Sequence, residues 1–362
     1  MTMRIEALDC KQDLTEFLGF HDRVFDALPA SWPSFVDFER AALDPDGPFA
    51  RERLLRPMVA RDRGEIVARA IAVMDARYNR HWGHTHDRLG HLIFFEALPD
   101  TRDAVRLLLD AGCEWLATQG AVAARVGFGL LDLPFVIDAY ESLPPFILRH
   151  NPPHYHGFLK DAGFETEKGF VDYKIRVTPE LIARYESALE AARRGGFEVV
   201  PLRDVPPAKR VKPFTETWNE TFSAHWGLTP YDEAEVALLL TIQEPMGVLD
   251  TSAFAMSDGE IAGLIWVLPE LSAFARLRPG RVLRDDEKLN FLGIGVRQAA
   301  RGRGVNLALA GFSFLELIRR GATYLSYTFV LDDNWPSRRT AEKLGATVCA
   351  SYLAYRRNFR HA

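Results

Sequence analysis

Residues 291–309 read FLGIGVRQAARGRGVNLAL. The apolar run Phe291, Leu292, Ile294 and Val296 predicts a strand, and the apolar periodicity from Leu307 through Ile318 predicts a helix. Between them lies RQAARGRG, a turn with two glycines and three arginines. A strand that enters a helix through such a turn aims several main-chain N–H groups and the positive helix end at one anion. Gly302 and Gly304 let the backbone approach a phosphate with no Cβ between. Arg301 and Arg303 add charge-assisted donors beside it. The stretch therefore predicts a pyrophosphate seat, with a tight solvated loop as the competing reading. The commoner nucleotide loops are missing: there is no GxxxxGK followed by Ser or Thr, and no GxGxxG after an N-terminal strand.

Counted from Arg301, the spacing R-x-x-G-x-N resembles the acyl-CoA loop of the GNAT acetyltransferase superfamily, Q/R-x-x-G-x-G/A, with Asn306 in place of the last small residue. Downstream, Thr323–Val330 reads as the next strand, and residues 334–346, from Asn334 past Ser337 and Ala341 to Gly345-Ala346, resemble that family's N-x-x-S-x-x-L-Y-x-x-x-G-F helix. The resemblance implies an α/β (α+β) fold of tandem GNAT-like domains, each a mixed, mostly antiparallel sheet flanked by helices. It also implies an N-acyltransferase that moves an acetyl or other acyl group from acyl-CoA to the amine of a small-molecule acceptor by direct attack, with acyl-CoA as co-substrate and no metal.

By the same resemblance, Ile294, Gly295 and Val296 would pair their backbone with the pantetheine arm, as an added strand does at a sheet edge. Arg301, Gly302, Arg303, Gly304, Val305 and Asn306 would hold the diphosphate, and Asn334 and Ser337 would line the thioester side. Direct attack needs a base, an oxyanion donor and an acid for the thiolate. The family's frequent tyrosine acid falls at Ala341 and its glutamate base near Asn290, and neither residue can do that work. Backbone N–H groups around Gly295–Arg297 are candidate oxyanion donors. Tyr327 is the best substitute acid, against the plainer reading of a half-buried strand tyrosine.

The chain's 362 residues are enough for two domains with full cores. A net charge of −5 with mixed signs gives no basic footprint for non-specific nucleic-acid binding. Three scattered cysteines, Cys10, Cys113 and Cys349, fit a reducing, cytoplasmic setting and no disulfide framework. The polar start MTMRIEALDCKQDL lacks the apolar stretch of a signal peptide, and no apolar run approaches the ~20 residues of a membrane span.

Ile5–Leu28 reads as helical, Ser31–Pro57 as loop with short helical turns, and Met58–Asp75 as a hairpin around Arg63-Gly64. Leu89–Leu98 and Ala121–Phe128 read as strands, Asp103–Gln119 and Pro152–Ala162 as helices, and Gly169–Val177 as a strand. The amphipathic helix Pro179–Arg194 ends at Gly195-Gly196. This order then repeats: Arg63-Gly64-Glu65-Ile66 answers Asp258-Gly259-Glu260-Ile261, Leu92–Ala97 answers Phe291–Val296, and Asn151 with Gly163-Phe164 answers Asn334 with Gly345-Ala346. Two copies of one unit are the better account, divided as 1–178, a connector helix at 179–195, and 196–362. In the first copy the turn after the corresponding strand, residues 99–103 (PDTRD), has no glycine and two acids, which predicts a degenerate copy unable to hold CoA.

Trp218, Phe222, His225, Trp226 and Tyr231 crowd the segment expected to cover the acceptor, either as a pocket or as core. His225 can serve as a base near neutral pH. His81, His84, His86 and His91, and again His150, His154 and His156, cluster in sequence without a metal motif such as HExxH, and read as surface or capping residues. Two alternatives stand beside the acyl-CoA enzyme. One is a GNAT-fold transferase with a non-CoA donor, an aminoacyl-tRNA or a carrier-protein thioester, served by a patch of Arg297, Arg301, Arg303, Arg319 and Arg320. The other is a non-catalytic CoA-binding module.

Overall fold

The computed structural model describes residues 3–34, 36–83 and 88–359. The first half runs β1 (Arg4–Ala7), α1 (Thr15–Phe25), β2 (Ala30–Ser31), α2 (Val36–Leu43), β3 (Arg53–Asp62), β4 (Glu65–Asp75), α3 (Ala76–Trp82), β5 (Leu89–Ala97), α4 (Arg102–Thr118), β6 (Ala123–Val126), β7 (Phe135–Val136), α5 (His154–Asp161) and β8 (Glu165–Arg176). After α6 (Pro179–Arg194) come β9 (Glu198–Pro201), α7 (Val211–Thr221), α8 (Glu233–Gln243), α9 (Val248–Thr251), β10 (Ala253–Ser257), β11 (Glu260–Leu268) and β12 (Arg276–Leu277). The chain closes with β13 (Phe291–Val296), α10 (Val305–Arg319), β14 (Tyr324–Leu331), α11 (Trp335–Lys343) and β15 (Thr347–Asn358).

Local chemistry explains most of these boundaries. Arg63 and Gly64, and likewise Asp258 and Gly259, take positive φ of 51° and 92°, and 52° and 81°, the pairing of two left-handed residues that turns a tight hairpin. In α4 the buried residues Ala104, Val105, Leu108, Leu109, Gly112, Cys113 and Leu116 recur at helical spacing and face the sheet. α6 starts on a Thr178 side chain that accepts from Leu181 N–H, with Pro179 in its first turn. α8 starts on a reciprocal capping box between Asp232 and Glu235.

Two expectations are corrected. Ile5–Leu28 is not one helix: residues 4–7 pair with β3 as an edge strand, Ile5 opposite Ala60, because over four residues an alternating pattern fits either period. Ser31–Pro57 holds α2 and the start of β3.

The sheets show how the repeat is assembled. A long sheet runs β1-β3-β4-β5-β6-β15-β8-β14, and a separate one runs β13-β11-β10-β9. The final strand of the chain, β15, lies between β6 and β8 of the first half, with Tyr355 opposite Val126 and Ser351 opposite Val171. Conversely β8 of the first half pairs with β14 of the second, Tyr327 opposite Tyr173. Each copy thus places its closing strand in the other copy's half. α6 packs into the second core, where Leu181, Tyr185 and Ala192 join Leu309, Phe314 and Leu325. The division at 178 and 196 describes the order of the sequence, whereas the packing runs across it.

Candidate functional site

The site begins where the second copy's sheet comes apart. Arg297 N–H donates to Ala262 C=O at 2.9 Å, and β13 pairs antiparallel with β11. The alternation of such a ladder turns residues 291, 293 and 295 toward β11 and residues 292, 294 and 296 the other way. On that other side lies β14, but no ladder joins the two strands. Side chains bridge them at one end only: Asn290 Nδ2 donates to Ser326 C=O (3.2 Å), Ser326 N–H to Asn290 Oδ1 (2.8 Å), Leu292 N–H to Thr328 Oγ1 (3.0 Å), and Thr328 Oγ1 back to Leu292 C=O (3.1 Å). Beyond this latch the backbone of Ile294 and the N–H of Val296 face the parting between the strands.

Gly295 differs from its expected role. Its polar backbone groups belong to the β11 side, and a Cβ there would come within 2.2 Å of Thr221 Oγ1 and 3.2 Å of Phe222. The glycine is required by the close approach of α7. For the same reason Gly295 and Arg297 are not free oxyanion donors; of the expected set Val296 N–H, together with Ile294 N–H just before it, is directed toward the gap.

The turn that follows is open. A short 3-10 turn, Gln298–Ala300, leads to Arg301, and Gly302 and Gly304 adopt φ of 76° and 81° with nothing within 4 Å of where a Cβ would sit. Gly304 is the N-cap of α10 and offers no side-chain cap, so the first helical N–H groups, at Val305 and Asn306, remain unclaimed by a capping side chain. The arginines do not fill the seat: Arg301 Nε donates to Val296 C=O (3.1 Å), and the Arg303 guanidinium lies 4.4 Å from the Phe197 ring centre.

Where the parting deepens it meets an apolar cavity of about 310 Å³, at the lower end of the ~300–1,000 Å³ usual for ligand pockets. Tyr327, Asn334 and Ser337 are among the residues that line it. The Tyr327 and Ser337 hydroxyls are 2.9 Å apart, and Ser337 N–H donates to Asn334 Oδ1 at 3.3 Å as the cap of α11. Burial pushes the Tyr327 hydroxyl up in pKa, against the opposing pull of Ser337, so it keeps its proton at neutral pH.

Of the aromatic cluster, Trp218, Phe222, His225 and Tyr231 line the cavity. Trp226 does not: it packs on Phe128 and Phe170, with the Arg125 guanidinium 4.2 Å from its ring centre. Burial lowers the His225 pKa, and its Nδ1 has no hydrogen-bond partner.

Several lining residues carried no signal in the sequence. Phe94, Glu96, Phe128, Asp132 and Arg149 come from the first copy, and Gln243 and Trp266 from α8 and β11, whereas His150, expected at the surface or as a cap, is instead buried in the cavity wall. At the first-copy end, His21 Nδ1 lies 2.6 Å from Glu96, while Arg69 donates to both Glu96 (2.8 Å) and Glu39 (2.7 Å). Burial opposes ionisation of Glu96, but Arg69 and His21 outweigh it and hold the carboxyl at about 2. Among the described residues, His21, Glu39 and Glu96 are the set whose ligand atoms converge, within 4.8 Å. The Arg69 cation already bonds both carboxylates.

The first copy's own parting is filled. β5 pairs with β6 from Leu89 to Leu92 and then diverges. There Ala97 N–H donates to Tyr155 Oη (2.9 Å), Arg149 Nη1 donates to Phe95 C=O (3.0 Å), and His154 Nε2 lies 3.3 Å from Ala97 C=O. The backbone edge that is free in β13 is bonded by side chains here. His156 sits between Tyr355 Oη (2.6 Å) and Val136 C=O (2.7 Å), and His81 Nε2 lies 2.7 Å from Ser223 C=O. His91, expected at the surface or as a cap, is instead buried in β5, edge-on against Tyr78. His84 and His86 lie outside the described residues. Asn151, the counterpart of Asn334, is spent on Val136, accepting its N–H at 2.7 Å.

No family model matches this chain. It is 24% identical over 372 residues to the bacterial ceramide synthase of Caulobacter vibrioides, covering 95% of this chain and 94% of that protein. Among solved structures, a tandem GNAT protein from the clavulanic acid biosynthesis pathway superposes over 100% of both chains with a TM-score of 0.61 at 13% identity. The glucosamine N-acetyltransferase region of a fungal multi-domain β-N-acetylglucosaminidase matches 98% of this chain and 38% of that one, with a TM-score of 0.58 at 17% identity. With a repeated unit, a parted sheet beside a glycine turn, and likeness over its whole length to a tandem GNAT structure, this chain has the tandem GNAT fold.

Proposed function

We propose that the chain is an N-acyltransferase that moves an acyl group from acyl-CoA to the primary amine of an acceptor with an apolar body. The observation that carries this reading is the continuity of three features: the open turn at 301–306, the free edge of Ile294 and Val296, and the apolar cavity beyond them. Main-chain N–H groups of the turn and the start of α10 bind the diphosphate, with Arg301 and Arg303 at its rim. The pantetheine arm pairs with the β13 edge, as an added strand would. The thioester then lies beside Ile294, Asn334 and Ser337.

In the transfer, the acceptor nitrogen attacks the thioester carbonyl, the new C–N bond forms, and the C–S bond breaks. Ile294 N–H stabilises the oxygen as charge develops on it. His225, held neutral by its burial, takes the proton from the amine. Tyr327, held protonated, gives its proton to the departing thiolate and is recharged through Ser337. The first copy supplies a wall of the cavity and no second CoA seat, because its parting is bonded shut. The likeness to a protein named for ceramide synthesis supports an acceptor or acyl group with a long apolar chain, as does the aromatic and aliphatic lining.

Thermal denaturation with acetyl-CoA, longer acyl-CoAs and free CoA tests the donor. A ligand that binds only the folded chain stabilises it by RT ln(1 + [L]/Kd), about 2.7 kcal/mol at a hundredfold excess over Kd. A rise in Tm is expected, and it is expected to shrink in Gly304→Val, which forces a branched side chain into a left-handed conformation and crowds the seat. Absence of a shift with every CoA species would overturn the reading in favour of a carrier-protein or aminoacyl-tRNA donor.

A further inference from the structure

The cavity is not confined to the second copy. Ile294, Tyr327 and Ser337 line it at the second copy's parting, and Phe94 and Glu96 of β5, with Leu131 beyond β6, line the same space at the first copy's. In the long sheet β5 and β14 are separated by β6, β15 and β8. At the usual interstrand spacing that separation is about 19 Å. One continuous space therefore reaches from the open parting of one copy to the closed parting of the other. The segments over it repeat as well. α7 and α8, which precede the β10–β11 hairpin, contribute Trp218 and Leu239 to the lining, and α1 and α2, which precede the β3–β4 hairpin, contribute Phe25 and Phe38. The first copy's CoA seat is closed, but the space beside it is kept.

What the first-copy end can hold follows from its side chains. Its charged groups are spent on one another. Glu96 bonds His21 Nδ1 (2.6 Å) through one oxygen and Arg69 Nε (2.8 Å) through the other, and Arg69 Nη1 and Nη2 donate to the two oxygens of Glu39 at 2.7 and 3.0 Å. A ligand cation would have to displace Arg69 or His21 to reach either carboxylate. The rest of the lining there includes Phe25, Trp32, Phe38, Phe94 and Leu131. Hydrocarbon covers such a wall without leaving a polar group unpaired. A short ligand held at Ile294 and Ser337 would leave this half of the space to water, whereas a long chain buries its walls, with a gain of about fourfold in affinity for each methylene.

We propose that the first copy's space is a tail pocket: an aliphatic chain whose reacting end lies beside Ile294 and Ser337 runs past β8, β15 and β6 and ends among Phe25, Phe38 and Leu131. These three residues are specificity-determining, since they set how long a chain is accepted. The proposal rests on the acyl-transfer reading for which end of the chain reacts, and two sources share its chemistry: the acceptor amine and the acyl group. A closed, CoA-free copy thereby selects the substrate of the other.

Photo-crosslinking of the full-length wild-type protein tests this. The probes carry a diazirine at the methyl end of the chain: a hexadecylamine beside a butylamine, and, in a second arm, a palmitoyl-CoA beside a butyryl-CoA. After irradiation and peptide mapping, the long member of one pair is expected to label residues 21–38 or 94–133, the short member of that pair to label only 214–243 or 291–337, and the arm that shows the difference identifies the source of the chain. Labelling by both long probes that is confined to 196–362, or that an excess of the unmodified long chain does not suppress, overturns the tail pocket. Leu131→Trp, which narrows the first-copy end, is expected to lose most of the affinity gained between octyl and dodecyl chains; an unchanged gain in the folded variant overturns it equally, and the mapping stands where that variant fails to fold. Turnover of the same unmodified chains reports the acyl-transfer reading separately. First-copy labelling without turnover leaves the pocket and removes the reaction, and turnover with labelling confined to the second copy does the reverse.

Discussion

At the scale of single residues, the candidate chemistry depends on two groups whose protonation is set by burial. Tyr327 is held protonated and bonded to Ser337. Tyr327→Phe is expected to lower kcat by about 10²–10⁴, the range of one general acid, with the Kd for CoA unchanged; steady-state kinetics alongside CoA titration checks both. A CoA affinity that falls as far as kcat would make the hydroxyl a binding group. His225 loses its proton more readily than an exposed histidine because burial penalises its cation. It therefore stays neutral to below its ordinary value of 6.5. The kcat/KM profile is expected to fall on the acid side with a midpoint under 6.5, and the fall is expected to vanish in His225→Gln along with most of the rate. A profile of the same shape in that variant would assign the base elsewhere.

At the scale of elements, the bulge in β14 is the feature the site leans on. Phe329, which lines the cavity, takes a φ of 63° where the β14–β8 register shifts, and its N–H donates to Asp172 Oδ1 at 2.6 Å. Tyr352 Oη donates to the other oxygen at 3.2 Å. Burial raises the Asp172 carboxyl to about 7, against these two bonds. An exposed aspartate releases its proton near 3.8, so between about 4 and 7 the folded chain binds more protons than the unfolded one, and this group's contribution makes stability fall as pH rises. Denaturant midpoints measured across that window are expected to lose this component in Asp172→Asn. An unchanged slope would mean that the carboxyl is ionised throughout. The β13 edge offers the contrasting case, an element left unpaired on one side and available to a ligand.

At the scale of the whole molecule, the closing strands are exchanged between the copies, and neither half completes its sheet alone. Residues 1–178 expressed by themselves leave β6 and β8 without the strand that separates and pairs both. That fragment is expected to be unfolded or insoluble, and co-expression with 179–362 is expected to recover a one-to-one complex by size-exclusion chromatography. A soluble, folded monomer of 1–178 would show that the exchange is dispensable.

The glycine turn, the hairpins and the amphipathic helices were legible in the sequence because each is set within a few residues: by a positive φ that glycine tolerates, by a capping side chain, or by an apolar period. Arg301 to Asn306 fold into an open turn for that reason, and α6 runs from Pro179 to Arg194 as its cap and its closing glycines dictate. Trp226 shows the limit, since an aromatic beside His225 reads equally well as pocket or as core until the rings it meets are known. Asp132, Arg149 and Gln243 lie far from the turn in sequence, and nothing in their local pattern marks them as neighbours of a cavity. Local propensity made the elements. Which strand lies beside which, where the sheet parts, and which side chains meet around the cavity were decided only by long-range packing, where distant residues compete for the same partners.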